Sequence, residues 1–137
     1  MILRIALAAT FLLAAAPVMA STPITGKWTT AGKDSVVEIA PCGAKLCGKV
    51  SKLLRPVQGG PPTDRNNPNV AYQSRPLVGL PILIDFTDNG SAWGGTIYDP
   101  RSGKSYRSKV ARNPDGTLKV QGCIAFFCQT QTWTPTR

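Results

Sequence analysis

Short runs of β-branched and aromatic residues, separated by turn residues, recur along this chain and restrict it to an all-β fold. The turns include Asp88-Asn89-Gly90-Ser91, Asp99-Pro100-Arg101-Ser102-Gly103 and Asn113-Pro114-Asp115-Gly116. These residue types favour tight or left-handed turns. The pattern predicts eight strands, at residues 24–30, 35–40, 46–54, 81–86, 92–98, 104–112, 117–123 and 128–134.

The short connections predict that strands adjacent in sequence are also adjacent in space. Such a chain forms an antiparallel meander, and eight strands is the number at which a meander closes around its side chains or one small ligand. We therefore expect an all-β, antiparallel, eight-stranded up-and-down β-barrel.

The first twenty residues have the pattern of a secretory signal peptide. Arg4 precedes an uncharged run at residues 5–16, and Val18-Met19-Ala20 supplies small residues at a cleavage site. The run is too short for a transmembrane anchor, which needs about 20 apolar residues. We expect cleavage after Ala20, a barrel domain at residues 21–137, and a periplasmic or secreted location. Loss of Arg4 lowers the formal net charge from +9 to +8.

The four cysteines form two closely spaced pairs, Cys42 with Cys47 and Cys123 with Cys128. Each pair flanks a turn between two predicted strands, where a disulfide is able to bridge neighbours. We favour these two pairings, although four cysteines allow three connectivities. A four-cysteine zinc site is the alternative, which an oxidising compartment disfavours.

The chemistry-bearing residues give little support to an enzyme. The chain has no histidine, which removes histidine-based nucleophile pairs, His-ligated metals and imidazole general bases. Asp88, Asp99 and Asp115 lie in turn motifs, where a carboxylate accepts backbone N–H groups. Asp64 and Asp85 remain as a carboxylate pair for a hydrolase. We expect no enzyme activity, no cofactor and no metal.

Residues 55–75 interrupt the regular spacing with a proline-rich connection, which is unusually long for a compact domain. It carries Asp64, Asn67, Tyr72 and Arg75, and it is long enough to lie as a lid across one barrel end. The alternative is an ordered structural loop in which Asp64 and Arg75 pair with each other.

The aromatic residues are numerous enough either to line a cavity or to fill the barrel, and a filled core is the commoner outcome in a barrel of this size. Phe126 and Phe127 differ from the rest because two rings in a short turn are hard to bury. They are a candidate exposed contact patch.

Blocks along nearly the whole mature chain resemble the DUF2147 family of small exported bacterial proteins. These blocks are Gly26-Lys27-Trp28, Pro41-Cys42-Gly43, Leu46-Cys47-Gly48-Lys49-Val50, Asp64-Arg65-Asn66-Asn67-Pro68, residues 75–83, residues 93–100, Gly103-Lys104-Ser105-Tyr106, residues 118–123 and Gln131-Thr132-Trp133-Thr134. The resemblance implies a lipocalin-like, calycin-type barrel and export, but no biochemical activity. In lipocalins a Gly-x-Trp tryptophan packs under a cationic side chain, which predicts Arg137 over Trp28. The family places that arginine directly after Trp-Thr, whereas here Pro135-Thr136 intervenes.

Two non-enzymatic hypotheses follow. The first is a binding module for a small apolar or anionic ligand, with these candidate ligand-binding residues: Trp28, Asp64, Asn67, Arg75, Trp93, Tyr98, Tyr106 and Trp133. The second is an envelope interaction protein that acts through a basic face and the Phe126-Phe127 tip. Export and the lack of a recognised binding motif argue against nucleic acid as the partner of the basic residues. Oligomeric state is left open.

Overall fold

A computed structural model describes residues 8–16 and 20–137, and it contains the eight predicted strands. The strands are β1 (Gly26–Thr29), β2 (Ser35–Cys42), β3 (Lys45–Leu53), β4 (Pro81–Asp88), β5 (Trp93–Asp99), β6 (Lys104–Arg112), β7 (Leu118–Ile124) and β8 (Phe127–Pro135). A 3₁₀ helix, Val70–Tyr72, lies in the long connection. Within the described residues no helix is long and apolar enough to cross a membrane. The predicted signal cleavage site and n-region lie largely outside those residues.

The strands pair antiparallel in sequence order, and β1 pairs with β8 to close the barrel. This up-and-down order places alternate connections at opposite ends. The β1–β2, β3–β4, β5–β6 and β7–β8 connections lie at one end, which we call the open end. The β2–β3, β4–β5 and β6–β7 connections and the start of β1 lie at the other, the closed end.

Large apolar side chains fill the closed end. Trp28 is buried in the core cluster with Val37 and Val110, and its indole N–H donates to the Ile24 carbonyl at 2.9 Å. Ile24 was predicted to belong to the first strand, but it precedes β1 and packs below it with no exposed surface. The inward face of each strand therefore meets a solid floor at this end.

The cation over Trp28 comes from β6. The Arg112 guanidinium lies 5.3 Å from the centre of the Trp28 ring and also donates to the Pro23 carbonyl at 3.4 Å. The expectation that Arg137 takes this place was wrong. Arg112 is the last residue of β6 and lies at the closed end, where the closed barrel brings it next to Trp28. The position of Arg137 near the end of the sequence does not reveal which cation reaches the ring.

Both favoured disulfides are confirmed. Cys42–Cys47 closes the β2–β3 hairpin at the closed end, with 5.7 Å between Cα atoms, and Cys123–Cys128 closes the β7–β8 hairpin at the open end, with 4.0 Å. These bonds use all four thiols, which leaves none for the alternative zinc site. The turn roles of Asp88, Asp99 and Asp115 are also confirmed, since each carboxylate accepts a backbone N–H two residues ahead.

Candidate functional site

A cavity of about 880 Å³ occupies the open half of the barrel. Its apolar wall comes from alternate, inward-facing residues of several strands: Val50, Leu53, Ile82, Ile97 and Val120. Trp133 and Tyr106 lie along its sides, and Gln129 and Gln131 add amide groups from β8. The interior is therefore solid at the closed end and hollow at the open end, so the filled barrel expected as the commoner outcome describes only one half.

The barrel is closed by few residue pairs where β8 meets β1. Only Trp28 and Thr29 of β1 pair with β8, opposite Pro135 and Thr134. The part of β8 that precedes Thr134 pairs with β7, and it has no β1 partner among the described residues. Gln129 and Gln131 lie in that part and are exposed although they line the cavity. The cavity is thus reached through the open end and along this side of β8.

The long connection lies over the cavity. Arg55, Val57, Thr63 and Asn66 all line it. The middle of the connection is held to its C-terminal end, because Thr63 forms an isolated β-bridge with Pro76 and the Asp64 N–H donates to the Arg75 carbonyl at 2.8 Å. The connection therefore borders the cavity as an ordered structure, in which Asp64 and Arg75 pair as the alternative expected.

Asp64 organises this connection from a fully buried position. One of its oxygens accepts from Asn67 at 2.8 Å and from Arg75 at 3.0 Å, and the other accepts from the Tyr98 hydroxyl at 2.6 Å. Arg75 also stacks on the Tyr72 ring, with its guanidinium 4.3 Å from the ring centre. Because Tyr98 belongs to β5, this cluster fastens the connection to the barrel wall.

The cluster also changes the chemistry of Tyr98. Burial raises the pKa of this hydroxyl from 10 to about 12, and the hydrogen bond to Asp64 and the Asp64 charge act in the same direction. The protonated hydroxyl is what Asp64 needs as a donor, so the neutral form of Tyr98 is stabilised. Tyr98 thus stays a hydrogen-bond donor well above neutral pH.

The eight candidate ligand-binding residues fall into three groups. Tyr98, Tyr106 and Trp133 line the cavity. Asp64, Asn67 and Arg75 meet at Tyr98 and hold the connection in place. Trp28 lies in the closed-end core, and the Trp93 indole N–H donates to the Thr22 carbonyl at 3.1 Å at that same end.

The alternative carboxylate pair gains no support. Both oxygens of Asp64 are engaged by protein donors and the side chain is buried. Asp85 is exposed in β4, where a positive φ of 55° coincides with a register shift. Asp64 is therefore committed to holding the connection, and it is not free to act on a substrate.

The sequence argument did not select most of the cavity wall. Val50, Leu53, Ile82, Ile97 and Val120 look in sequence like ordinary core residues of alternating strands. The alternation of apolar residues shows that these side chains face the interior of the barrel. It does not show whether they lie in the packed closed end or in the open end that contains the cavity. The amides Gln129 and Gln131 were also missed, although their alternation with Trp133 along β8 puts all three on one face.

Comparison with known proteins agrees with the fold. One solved structure, described as "Protein HP1028 from the human pathogen Helicobacter pylori belongs to the lipocalin family", superposes with a TM-score of 0.73 at 22% identity and covers 85% of each chain. This likeness shows a lipocalin-like barrel. A search of curated proteins found no match.

A family model described as "Uncharacterized protein conserved in bacteria (DUF2147)" matches residues 26–135. These residues run from the first residue of β1 to the last residue of β8. The chain therefore belongs to the DUF2147 family, with a lipocalin-like barrel as its fold.

Proposed function

We propose that this protein is an exported, non-enzymatic binding protein that holds one small apolar or anionic ligand inside its barrel. The cavity of about 880 Å³ is the observation that carries the proposal. Its volume lies within the range of about 300–1,000 Å³ typical of small-molecule sites. Its lining combines apolar side chains with many polar and charged ones, so both an apolar and an anionic part of a ligand would find partners there.

The distribution of side chains favours a ligand with an apolar body and an anionic end. Val120 and Trp133 line the cavity toward the closed end, whereas Arg55, Arg65 and Arg101 lie among the lining residues supplied by the connection and the β5–β6 turn. Arg101 has only long ion pairs, at 3.9 Å to Asp34 and 3.7 Å to Asp99, and is 78% exposed. Weak exposed pairs of this kind contribute little, so Arg101 is available to an incoming anion.

A binding role without catalysis is supported by the groups that the cavity presents. The absence of histidine removes imidazole chemistry. Asp64 lies behind Tyr98 with both oxygens engaged. The cavity carboxylates, Asp34 and Asp99, bond to nearby side chains and to the β5–β6 turn, respectively.

Displacement of a fluorescent fatty-acid probe tests this proposal, and Gly122 offers a variant that closes the cavity from within. A Cβ atom at Gly122 would lie 3.7 Å from Ile97 and 4.0 Å from Tyr106, which is ordinary contact distance. Gly122→Leu should fit the fold and fill the cavity, lowering probe affinity about tenfold or more. Gln121→Leu, on the opposite face of β7, is the matched control and should bind like the wild type. The proposal would be rejected if the wild type did not bind the probe and also bound none of a series of fatty acids and lipid fragments.

Export is supported by the two disulfides and by the position of Ser21. The Ser21 backbone nitrogen lies 3.0 and 3.2 Å from the two carboxylate oxygens of Asp88. Cleavage after Ala20 would turn this nitrogen into an ammonium group and give Asp88 a charged partner. Side-chain and backbone hydrogen bonds from Ser21 already contribute to lowering the pKa of Asp88.

Mass spectrometry of the protein recovered from the periplasm of an expressing bacterium tests the processing. We expect a mature chain that begins at Ser21 and carries both disulfides. Recovery of an uncleaved chain from the cytoplasm with free thiols would contradict export without affecting the binding test.

A further inference from the structure

We propose that the β7–β8 tip, which comprises Ile124, Ala125, Phe126 and Phe127, docks the open end of the barrel onto an anionic lipid surface. Phe126 is fully exposed, Phe127 is 72% exposed and Ile124 is 66% exposed. Three adjacent large apolar side chains in water are unusual for a soluble domain and mark an interaction site. The proposal goes beyond ligand binding, because it concerns where the barrel sits and not what it holds.

The tip is held in a fixed shape that keeps its rings apart from the barrel core. Ala125 adopts a positive φ of 52°, which is uncommon for a residue with a side chain. The Cys123–Cys128 disulfide lies one residue pair below the turn, and Arg107 donates to the Ala125 carbonyl at 3.0 Å. A pre-formed apolar tip loses little conformational entropy when it enters a membrane interface.

Charge around the open end selects the kind of surface. Basic side chains accompany the tip at this end: Lys33, Arg55, Arg65, Arg101, Lys104 and Arg107. The acidic groups there are Asp34 and Asp99, which face Arg101, and the buried Asp64, which pairs with Arg75. Apolar side chains combined with basic neighbours are what binding to anionic lipids requires.

The tip is continuous with the cavity. Ile124 and Phe127 belong to both the tip and the cavity lining, whereas Phe126 belongs only to the tip. Docking would therefore bring the cavity entrance against the lipid surface, from which an apolar ligand need not cross water. Phe126 also allows docking to be altered without touching the cavity.

Vesicle flotation with the disulfide-bonded 21–137 chain tests the proposal. We expect the wild type to float with vesicles of phosphatidylglycerol mixed with phosphatidylcholine, to float much less with phosphatidylcholine alone, and to dissociate as salt is raised. Phe126→Ser should weaken vesicle binding about tenfold or more, since it removes a large apolar side chain from the interface. Arg107→Gln should weaken it about fivefold.

Matched variants separate the tip from general effects. Val70→Ser removes an apolar side chain that is 77% exposed in the long connection and not in the tip, and Lys119→Gln removes an exposed charge near the closed end; both should keep wild-type vesicle binding. Phe126→Ser should also keep the wild-type affinity for the dissolved fatty-acid probe, because Phe126 does not line the cavity. The vesicle test and the probe test therefore distinguish a failure of docking from a failure of ligand binding. The proposal is overturned if the wild type does not float with anionic vesicles, or if Val70→Ser and Phe126→Ser lose binding equally. It is also overturned if the wild type is a dimer that Phe126→Ser converts to a monomer, because the tip would then be a subunit interface.

Discussion

Both ends of this barrel are formed by strand connections of one antiparallel meander, but the interior is close-packed at one end and contains a cavity at the other. At the closed end Trp28 packs among buried side chains under Arg112, and the interior is solid. At the open end the cavity extends between Tyr106, Val120 and Trp133, and the amides of β8 are exposed. Each end also carries one disulfide hairpin with the same sequence separation of 5.

This difference teaches that the close-packed core and the cavity occupy separate halves of the molecule. A close-packed floor provides the hydrophobic burial that folding needs. The open half is then free to keep a cavity, because its shape is maintained by the floor below and by the Asp64 cluster beside it. Substitutions at the two ends should accordingly have different consequences.

The largest effect is expected at the floor. Trp28→Ala removes a buried ring with its hydrogen bond to Ile24 and its contact with Arg112, which should lower the free energy of unfolding by about 3–5 kcal/mol. Denaturant titration measures the loss. Trp93→Ala, at the same end but only half-buried, should lose distinctly less; equal losses would contradict a floor centred on Trp28.

Tyr98→Phe tests whether the open end depends on the Asp64 cluster. At pH 7 it should cost about 1.5–3 kcal/mol, because Asp64 loses a buried donor. Tyr98 ionises near pH 10 when unfolded and near pH 12 when folded, so the folded wild type binds more protons in between. Its stability should therefore fall from pH 10 to pH 12, by up to about 1.4 kcal/mol per pH unit.

The Tyr98→Phe variant lacks this titration, so the difference in free energy of unfolding between the two proteins should decrease from pH 10 to pH 12. Urea titrations of both proteins at pH 7 and at several points from pH 9 to pH 12 measure the gap. A gap that stays constant would show that Tyr98 does not carry the raised pKa.

Gly103→Ala compares turns at the two ends. Gly103 has a φ of 72°, and a Cβ atom there would collide with the Asn66 carbonyl of the long connection. Gly116, at the closed end, has a φ of 87° and open space around it. Both alanine variants should lose about 1–2 kcal/mol from the left-handed conformation.

Only Gly103→Ala should also speed proteolysis within residues 55–75, because Asn66 packs on the β5–β6 turn and donates to the Pro100 and Arg101 carbonyls. Limited proteolysis followed by mass spectrometry locates the cuts. Equal protection in both variants would mean that the connection does not depend on this contact.

The smallest effect is expected inside the barrel and has the opposite sign. The Ser108 hydroxyl is buried, with no hydrogen-bond partner among the described residues. Ser108→Ala should raise the melting temperature slightly, corresponding to up to about 1 kcal/mol, because an unpaired buried hydroxyl is unfavourable. Ser51→Ala, whose hydroxyl donates to the Val36 carbonyl at 3.2 Å, should lower it instead. Destabilisation by Ser108→Ala would indicate a bonding partner in solution.

Local patterns explain why most of the fold was predictable. The β6 bounds agree with the prediction, and the other strands differ by a few residues at their ends. Turn residues and alternation act over a few positions, so one sequence is enough to reveal them. Asp64, Asn67 and Arg75 could be grouped in advance because they lie in the same long connection, whereas their role in ligand binding stays a prediction. Their contact with Tyr98 joins residues 34 positions apart, which spacing alone does not reveal.

By itself, the sequence determined the strands, the turns and the order in which the strands pair, and it favoured the two disulfides that the structure contains. Those features depend on the residue types of neighbouring positions. The tertiary structure alone decided that Arg112 covers Trp28, that the barrel is solid at one end and hollow at the other, and that the Phe126-Phe127 tip stands at the cavity entrance. Closure of the sheet sets these relations, because it fixes which distant side chains share the same volume.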